Sequence, residues 1–143
     1  MTVQHYIQEE LVHAIEGRCL DINLPTLSPE SEWRAQTEAF GLQFVGSRML
    51  HVCVTEILVR IYSDQEVSGP LADMMTVVTS HVTLFHVMKK VGELKEPHYS
   101  KAVGAIFLTH LGVYHMEKGF NTLYGWVWNT FMPLITACEE ARI

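Results

Sequence analysis

The apolar residues near the N-terminus recur at helical spacing. Ile7, Leu11 and Ile15 lie four residues apart, Val12 adjoins Leu11 on the same side, and Gly17 follows as a residue type that often ends a helix. A stripe of this kind covers one face of a helix and leaves the opposite face polar. The pattern therefore predicts a short amphipathic helix over residues 3–15.

The next stretch has no apolar period. Residues 18–30 are interrupted by Pro25 and Pro29, which favour irregular backbone, so we expect a loop on the surface. Ser31 then suits an N-cap position, because its hydroxyl oxygen can accept a hydrogen bond from a free backbone N–H of the first turn. The apolar pattern that follows predicts one long helix over residues 31–62.

The long predicted helix carries apolar residues on nearly every side. They are Phe44, Val45, Met49, Leu50, Val52, Cys53, Val54, Ile57, Leu58 and Ile61. A helix without a polar face is typical of one enclosed by its neighbours, so we expect this helix to be central. Gly41 and Gly46 within it each cost roughly 1 kcal/mol relative to Ala. We interpret them as a helix break or a close packing contact.

The C-terminal half continues the helical pattern. Pro70 suits the first turn of a helix, where its missing N–H is harmless, and residues 71–91 are predicted to be helical with a break near Ser80. Helices over residues 99–113 and from about 115 to 142 follow. No hairpin or βαβ spacing supports a sheet, so the predicted fold class is all-α.

Composition limits the class of partner. A chain of 143 residues with 48% hydrophobic and 18% charged residues is expected to form one domain, residues 1–143, around a buried core. Ten Lys and Arg against sixteen Asp and Glu give a net charge of −6, which disfavours tight binding to a phosphate backbone. Lys89 and Lys90 begin a short basic stretch, but Glu93 and Glu96 dilute it.

The cysteines and the N-terminal residues indicate the compartment only weakly. Cys19, Cys53 and Cys138 show no CxxC spacing and no secretory leader precedes them, so we expect reduced thiols. No uninterrupted apolar run reaches the roughly 18 residues of a membrane helix, and we expect no membrane partner. The first 18 residues are rich in Glu and poor in Arg, so no mitochondrial presequence is recognised.

The histidines do not form a metal-binding pattern. His81 and His86, like His110 and His115, are five residues apart, whereas ligands on one helical face are three or four apart. Ordinary surface or hydrogen-bonded histidines are the preferred interpretation. We therefore expect neither a metal nor a cofactor.

Cysteine, serine and tryptophan residues also suggest chemistry or binding. Cys53 lies in an apolar helix, where a thiol is usually inert, and Ser47 lacks the strand–turn–helix setting of a nucleophilic serine. Trp126 and Trp128 are two residues apart and cannot share one face of a helix. We expect packing roles for Cys53 and Ser47, and exposure of one of the two tryptophans at an interface.

Two motifs resemble those of ribonuclease III domains. The run FVGSRML at residues 44–50 is similar to the family's signature helix, in which E-F-L-G-D-x-V-L carries two catalytic carboxylates. The run GAIFL at residues 104–108 resembles the family's E-A-L-I-G-A-I-Y-L-D helix, and FMPLI at residues 131–135 its closing segment. The resemblance covers roughly residues 38–135 in collinear order. It implies a ribonuclease III-like helical bundle around a long buried signature helix.

The same comparison of motifs shows where the chain departs from the family. Family members hold two divalent ions, usually magnesium, in a cluster of carboxylates that activates water. At those four positions this chain has Gln43, Ser47, Pro97 and Ser100. Losing one electrostatic stabiliser commonly lowers a rate by about 10²–10³, so losing four carboxylates predicts a protein that is not an enzyme.

The resemblance also implies partners. Ribonuclease III domains dimerise through the signature helix, which makes Phe44, Val45, Met49 and Leu50 the interface candidates in a homodimer or a heterodimer with a similar protein. Catalytically degenerate domains of this kind are best known from the large subunit of mitochondrial ribosomes. This implies a mitochondrial location and contacts with ribosomal proteins, with rRNA as a further candidate. No double-stranded RNA-binding domain is recognised beside it.

Five basic residues are the candidates for contact with RNA or a partner. They are Arg34, Arg48, Arg60, Lys89 and Lys90. A guanidinium matches the geometry of phosphate and carboxylate groups, but each arginine can equally be solvated or paired internally.

One alternative to the ribosomal role remains open. The chain can instead be the inactive dimer partner of a nuclease in an RNA-processing or editing complex. The ribosomal role predicts that the protein co-sediments with large ribosomal subunits. The processing role predicts that it co-purifies with an intact nuclease.

Overall fold

The protein is all-α. A computed structural model describes residues 2–17, 22–62, 68–91 and 100–142, and these residues form seven helices and no strand. The helices are α1 (Val3–Gly17), α2 (Pro29–Thr37), α3 (Ala39–Ile61), α4 (Ser68–Val78), α5 (His81–Lys90), α6 (Ser100–Lys118) and α7 (Phe120–Arg142). The predicted fold class is therefore confirmed.

The N-terminal helix follows its hydrophobic pattern. α1 buries Ile7, Leu11 and Ile15, the residues whose spacing predicted it, and it packs against α4, α5 and α7. The polar side of α1 also contacts α5, since the Gln8 amide nitrogen donates a hydrogen bond to the Thr83 hydroxyl at 3.0 Å. The sequence prediction for α1 is confirmed.

The single helix predicted over residues 31–62 is wrong, because the chain breaks it at Glu38. The first piece, α2, has Ser28 rather than Ser31 as its N-cap, and the Ser28 hydroxyl accepts from the Ser31 backbone N–H at 3.2 Å. At its end the Thr37 hydroxyl donates to the Trp33 carbonyl at 3.0 Å, a bond type that bends helices. Glu38 then takes a non-helical conformation, with φ −123° and ψ 29°.

The break predicted near Ser80 is confirmed. Ser80 is the N-cap of α5, and its hydroxyl accepts from the Thr83 backbone N–H at 3.2 Å. The buried Thr83 hydroxyl donates to the Val77 carbonyl at 2.6 Å, which satisfies one of the free carbonyls at the end of α4. This hydroxyl also accepts the bond from Gln8, so the α4–α5 turn is held against α1.

The boundary between the last two helices differs from the prediction. α6 continues past residue 113 to Lys118, and Gly119 separates it from α7 with a φ of 87°. An L-residue rarely adopts this left-handed conformation, whereas glycine does so freely, and a glycine after a terminal lysine is a common helix end. The sequence contained this signal at Lys118 and Gly119, but the apolar pattern alone placed the boundary too early.

The closest helix contact in the bundle joins α3 and α6 through two glycines. A Cβ atom added at Gly46 would overlap the Leu108 carbonyl oxygen, and one added at Gly112 would overlap the Leu42 carbonyl oxygen. The two backbones therefore touch, which only glycine permits. Gly46 is the close packing contact that the sequence suggested, whereas Gly41 has open space around it.

The core surrounds this crossing. Its fully buried members come from α1 and α3 to α7, and the largest are Phe107, Phe131, Ile7, Leu11, Ile15, Leu50, Ile57, Met74, Leu84, Leu111, Leu123 and Leu134. Near the N-terminal end of α3, Leu27, Leu42 and Val113 form a second, smaller cluster. α3 contributes to both clusters, in line with the central position predicted for it.

By length and composition, α3 is also apolar enough to cross a membrane. The α4–α5 pair would count as a second such span if the two helices, bent by 49°, were taken together. Both observations concern the described residues alone. The core helix of a soluble protein can have the same length and apolar composition. One face of α3 is buried against other helices of this chain.

The connector before α2 is bound to the bundle and is not simply a surface loop. The Trp126 indole N–H donates to the Asn23 carbonyl at 2.9 Å, and the His110 ring Nε2 lies 2.6 Å from the Pro25 carbonyl oxygen, as a donor would. The irregular backbone predicted here is confirmed for residues 22–28, and Asn23 and Thr26 are exposed as predicted, but Pro25 and Leu27 are buried against the bundle.

A carboxylate on α6 holds the start of α2. Hydrogen bonding by the Ser28 hydroxyl, followed by smaller effects of the Ser28 backbone N–H and the Ser31 hydroxyl, favours the ionised form and lowers the pKa of Glu117 below its usual value. The buried Oε2 of Glu117 has no hydrogen-bond partner among the described residues. The partial positive charge at a helix N-terminus favours a carboxylate in the same way.

We predict that Gly46→Ala strongly destabilises the protein. The added methyl group meets a backbone carbonyl, which cannot rotate aside, so α3 and α6 must separate. Overpacking of this kind costs about 3 kcal/mol, measurable by urea unfolding. Gly41→Ala on the same helix is the matched control, because its new methyl group enters open space, and it should stabilise the fold by about 0.5 kcal/mol. Equal stability of Gly46→Ala and wild type would contradict the direct backbone contact.

We predict that Glu117 makes the stability of the fold depend on pH in the acid range. Because its pKa is lowered on folding, its contribution is present above the pKa of the unfolded chain and is lost as the pH falls through the folded value. Urea unfolding at neutral and acid pH should show a smaller acid loss for Glu117→Gln than for wild type. Glu10→Gln on α1 is the control, because Glu10 has no hydrogen-bond or ion-pair partner among the described residues, and it should leave the acid loss unchanged.

Candidate functional site

The outer face of α3 exposes a row of large apolar side chains. Phe40 is 90% exposed, Phe44 59%, Val52 45% and Val59 55%. These four residues are spaced by four, eight and seven positions, so they lie along one face of the helix, and we call them the α3 stripe. Soluble proteins seldom leave such a row uncovered, and a contiguous apolar patch commonly marks an interaction site.

Polar side chains lie between the apolar residues of the α3 stripe, because the exposed Arg48 and His51 stand between Phe44 and Val52 on this side of the helix. Arg60 donates to the Glu56 carboxylate at 3.0 Å, and the Arg48 guanidinium lies 5.1 Å from the centre of the Phe44 ring. Burial and then the charge of Arg48 lower the pKa of His51, so its ring is neutral at neutral pH. The surface therefore combines apolar side chains with locally compensated charge.

The four residues predicted from the sequence to form an interface differ in their exposure to solvent. Phe44 is exposed, Val45 and Met49 are half-buried, and Leu50 is completely buried in the core. Leu50 is therefore wrong as an interface candidate, because other helices of the same chain already cover it. The sequence analysis missed Phe40, Val52 and Val59. Their spacing from Phe44 was available, but apolar residues on all sides of the helix obscured which side faces outward.

The structure describes two of the four degenerate catalytic positions. Gln43 and Ser47 are half-buried on α3 and one turn apart, so they share a face. Pro97 and the side chain of Ser100 lie outside the described residues. Among the described residues, no group of three or more His, Cys, Asp or Glu side chains could hold a metal ion.

A groove opens beside Gln43, between α2, α3 and α6. Its volume is about 480 Å³, and we call it the α2–α3–α6 groove. Its lining residues are Leu27, Glu32, Ala35, Gln36, Ala39, Gln43, Ala105, Ile106, Thr109 and His110. The Thr109 hydroxyl donates to the Ala105 carbonyl at 2.8 Å and lies 3.4 Å from the Ala39 carbonyl, so it joins two of the walls.

Two of the arginine candidates are paired within the chain. Arg34 donates to Glu38 at 2.7 Å, and this hydrogen bond raises the pKa of Arg34. Arg60 is held by Glu56 and lies 5.9 Å from the centre of the Tyr124 ring. Both guanidinium groups remain partly exposed to solvent. A role for them at an interface therefore stays a prediction.

The two lysine candidates lie at one end of the bundle. Lys89 and Lys90 are exposed in the last turn of α5, where a positive charge suits the negative helix end. They border a depression that also includes Glu16 and His86. The His86 ring Nδ1 lies 3.6 Å from the Glu16 carboxylate, so acidic charge accompanies the lysines there.

The tryptophan at the surface is a different one from those expected. Trp126 and Trp128 are both half-buried, with Trp126 bonded to Asn23 and the Trp128 ring 6.2 Å from that of Tyr124. Trp33 on α2 is exposed instead. The expectation that Trp126 or Trp128 stands free at an interface is wrong, because the connector and a neighbouring ring cover them.

The described cysteines are unsuited to nucleophilic chemistry. Cys53 and Cys138 are free and buried. Burial, followed by the charge of Glu56, raises the pKa of Cys53 to about 11, and burial raises that of Cys138 to about 12. Neither thiol ionises near neutral pH, as a reactive thiol must. Cys19 lies outside the described residues.

Comparison with known proteins adds no relative from which to transfer a function. No protein-family model, no curated protein and no solved structure matches the chain. Any functional conclusion must therefore come from the chemistry and geometry of its own residues.

Proposed function

We propose that this chain is a non-catalytic, ribonuclease III-like assembly protein that dimerises through the α3 stripe. Its best-fitting setting is the large subunit of the mitochondrial ribosome, at the periphery, where it contacts mainly ribosomal proteins. The observation that carries the proposal is the coincidence of two features on one helix. α3 has Gln43 and Ser47 where the resemblance expects carboxylates, and it presents a row of exposed apolar residues.

The chemistry of the degenerate positions supports a role without catalysis. Magnesium prefers charged oxygen ligands, and phosphodiester hydrolysis needs positive charge fixed where negative charge develops. An amide at Gln43 and a hydroxyl at Ser47 offer only neutral oxygens. The resemblance places Pro97 and Ser100 at the other two positions, so no carboxylate remains at any of the four.

The exposed apolar residues support an assembly role. Burying apolar surface releases about 25 cal/mol per Å², which is the main source of affinity in protein association. Phe40 and Phe44 are large aromatic side chains of the kind enriched at interfaces. Arg48, held over Phe44, is suited to the edge of such an interface, where it can keep contact with water.

The net charge of the chain supports protein partners over RNA. At −6, the chain is repelled by a phosphate backbone at long range. Arg34 and Arg60, two of the candidate RNA contacts, already hold carboxylates. A peripheral subunit held by its neighbours is compatible with this charge, whereas a protein coating rRNA is not.

We predict that the purified chain is a dimer that Phe44→Glu converts to a monomer. The substitution removes the aromatic ring and adds a carboxylate beside Arg48, and a dimer through the α3 stripe would have to desolvate that charged pair. Multi-angle light scattering should give the dimer mass for wild type and half of it for the variant. Val3→Glu adds the same charge at an exposed apolar position on α1 and should remain dimeric. A monomeric wild type would refute self-association through this face.

We predict that the protein sediments with large ribosomal subunits in a sucrose gradient of a native extract. It should remain with them when EDTA separates the two subunits. Recovery with an intact nuclease instead would favour the role of inactive partner in a processing complex and refute the ribosomal one. Magnesium-dependent cleavage of double-stranded RNA by the purified chain would refute both roles.

A further inference from the structure

The α2–α3–α6 groove has a floor of small side chains from three helices. Ala35 lies on α2, Ala39 begins α3 and Ala105 lies on α6. Because each side chain ends at Cβ, the helices leave about 480 Å³ between them. Ligand clefts typically measure about 300–1,000 Å³, so the groove can receive two or three side chains of another molecule.

The floor and the rim of the groove differ in chemistry. Leu27 and Ile106 extend the apolar floor, and Ile106 is 56% exposed. Glu32 is the charged residue among the described lining, where neither Lys nor Arg occurs. An apolar floor beneath an acidic rim favours an occupant with apolar side chains and a nearby positive charge.

The basic residue of α2 is engaged with other acids. Arg34 donates to Glu38 at 2.7 Å, and its charge also interacts with that of Glu30. Glu32 forms no ion pair with any residue that the structure describes, and a carboxylate of this kind gains from a cationic neighbour. The acidic charge at the groove therefore remains available to a partner.

The walls of the groove indicate the backbone conformation of the occupant. All three are helices, whose backbone N–H and C=O groups are used within the helices themselves. An extended peptide would find no row of free backbone groups there, unlike at the edge of a sheet. A helix satisfies its own backbone and presents side chains three and four residues apart, so it suits this groove.

We infer that the α2–α3–α6 groove binds an amphipathic helix of a partner protein. Apolar side chains at positions i, i+4 and i+7 of that helix enter the groove over the three alanines. A Lys or Arg beside them faces Glu32. The groove borders the α3 stripe, because Ala39 and Gln43 lie next to Phe40 and Phe44 on α3, but none of the stripe residues lines it. It therefore offers a contact in addition to dimerisation.

The inference can be tested with defined peptides and the full chain. The probe is a fluorescein-labelled helix of Leu and Lys with all Leu on one face. Its controls are a peptide of the same composition with the Leu positions scrambled and a Leu–Glu peptide with the original pattern. Fluorescence anisotropy at physiological salt should show binding of the amphipathic Leu–Lys helix and at least about tenfold weaker binding of both controls, a difference of about 1.4 kcal/mol.

Variants of the chain locate the binding. Ala105→Leu and Ala39→Leu each fill the floor without changing the charge, and Glu32→Lys reverses the charge of the rim. Each should weaken binding by about tenfold. Glu9→Lys makes the same charge change on α1, away from the groove, and should weaken binding less than about twofold.

Three outcomes would overturn the inference. They are wild-type affinity in both groove-filling variants, equal weakening by Glu9→Lys and Glu32→Lys, and equal binding of the scrambled peptide. Two groove-filling variants are used in case one of them fails to fold. Ala39 is exposed and Ala105 is half-buried, and thermal unfolding shows whether each variant is folded. If the Phe44→Glu variant is monomeric and still binds the peptide, peptide binding at the groove does not depend on the proposed dimer face.

Discussion

The backbone contact between α3 and α6 is the constraint on which the rest of the structure depends. Because Gly46 and Gly112 lack side chains, the two helices approach until each glycine meets a carbonyl of the other helix. This approach fixes where the flanking residues lie. On one side, Leu42 and Val113 enclose Leu27 of the connector, and beyond them Glu117 holds the start of α2. A wider crossing would alter the groove, the connector and the cap together.

The surfaces available for function follow from the same arrangement. One face of α3 is occupied by α6 and the core, and the part of the chain that the structure describes leaves apolar residues exposed on its other face. Charges near them are compensated locally, as in the pair formed by Glu56 and Arg60 and in the stacking of Arg48 on Phe44. The groove beside Gln43 combines an apolar floor with the uncompensated acid Glu32. The molecule thus offers two chemically different contacts and, in its described part, no cluster of metal ligands.

Sequence reasoning succeeded where local signals were sufficient. The four-residue spacing from Ile7 to Ile15 predicted α1, and Ser80 predicted the break between α4 and α5, since its hydroxyl can cap a helix without tertiary help. It failed where two local signals competed. Ser28 and Ser31 both suit an N-cap, and Ser28 takes that role because Pro29, which favours the first helical position, directly follows it. Residues 39–61 were apolar on nearly every side, so the outward side could not be identified before α6 was located.

The sequence by itself determined the all-α class, most helix positions and the neutral residues at Gln43 and Ser47, because helical periodicity and side-chain chemistry are local properties. Only the tertiary structure decided that Leu50 is core and Phe40 is surface, and that the connector at residues 22–28 is bound to α6 and α7. Burial depends on which helices meet, and that choice depends here on two glycines 66 positions apart whose contact no local pattern reveals.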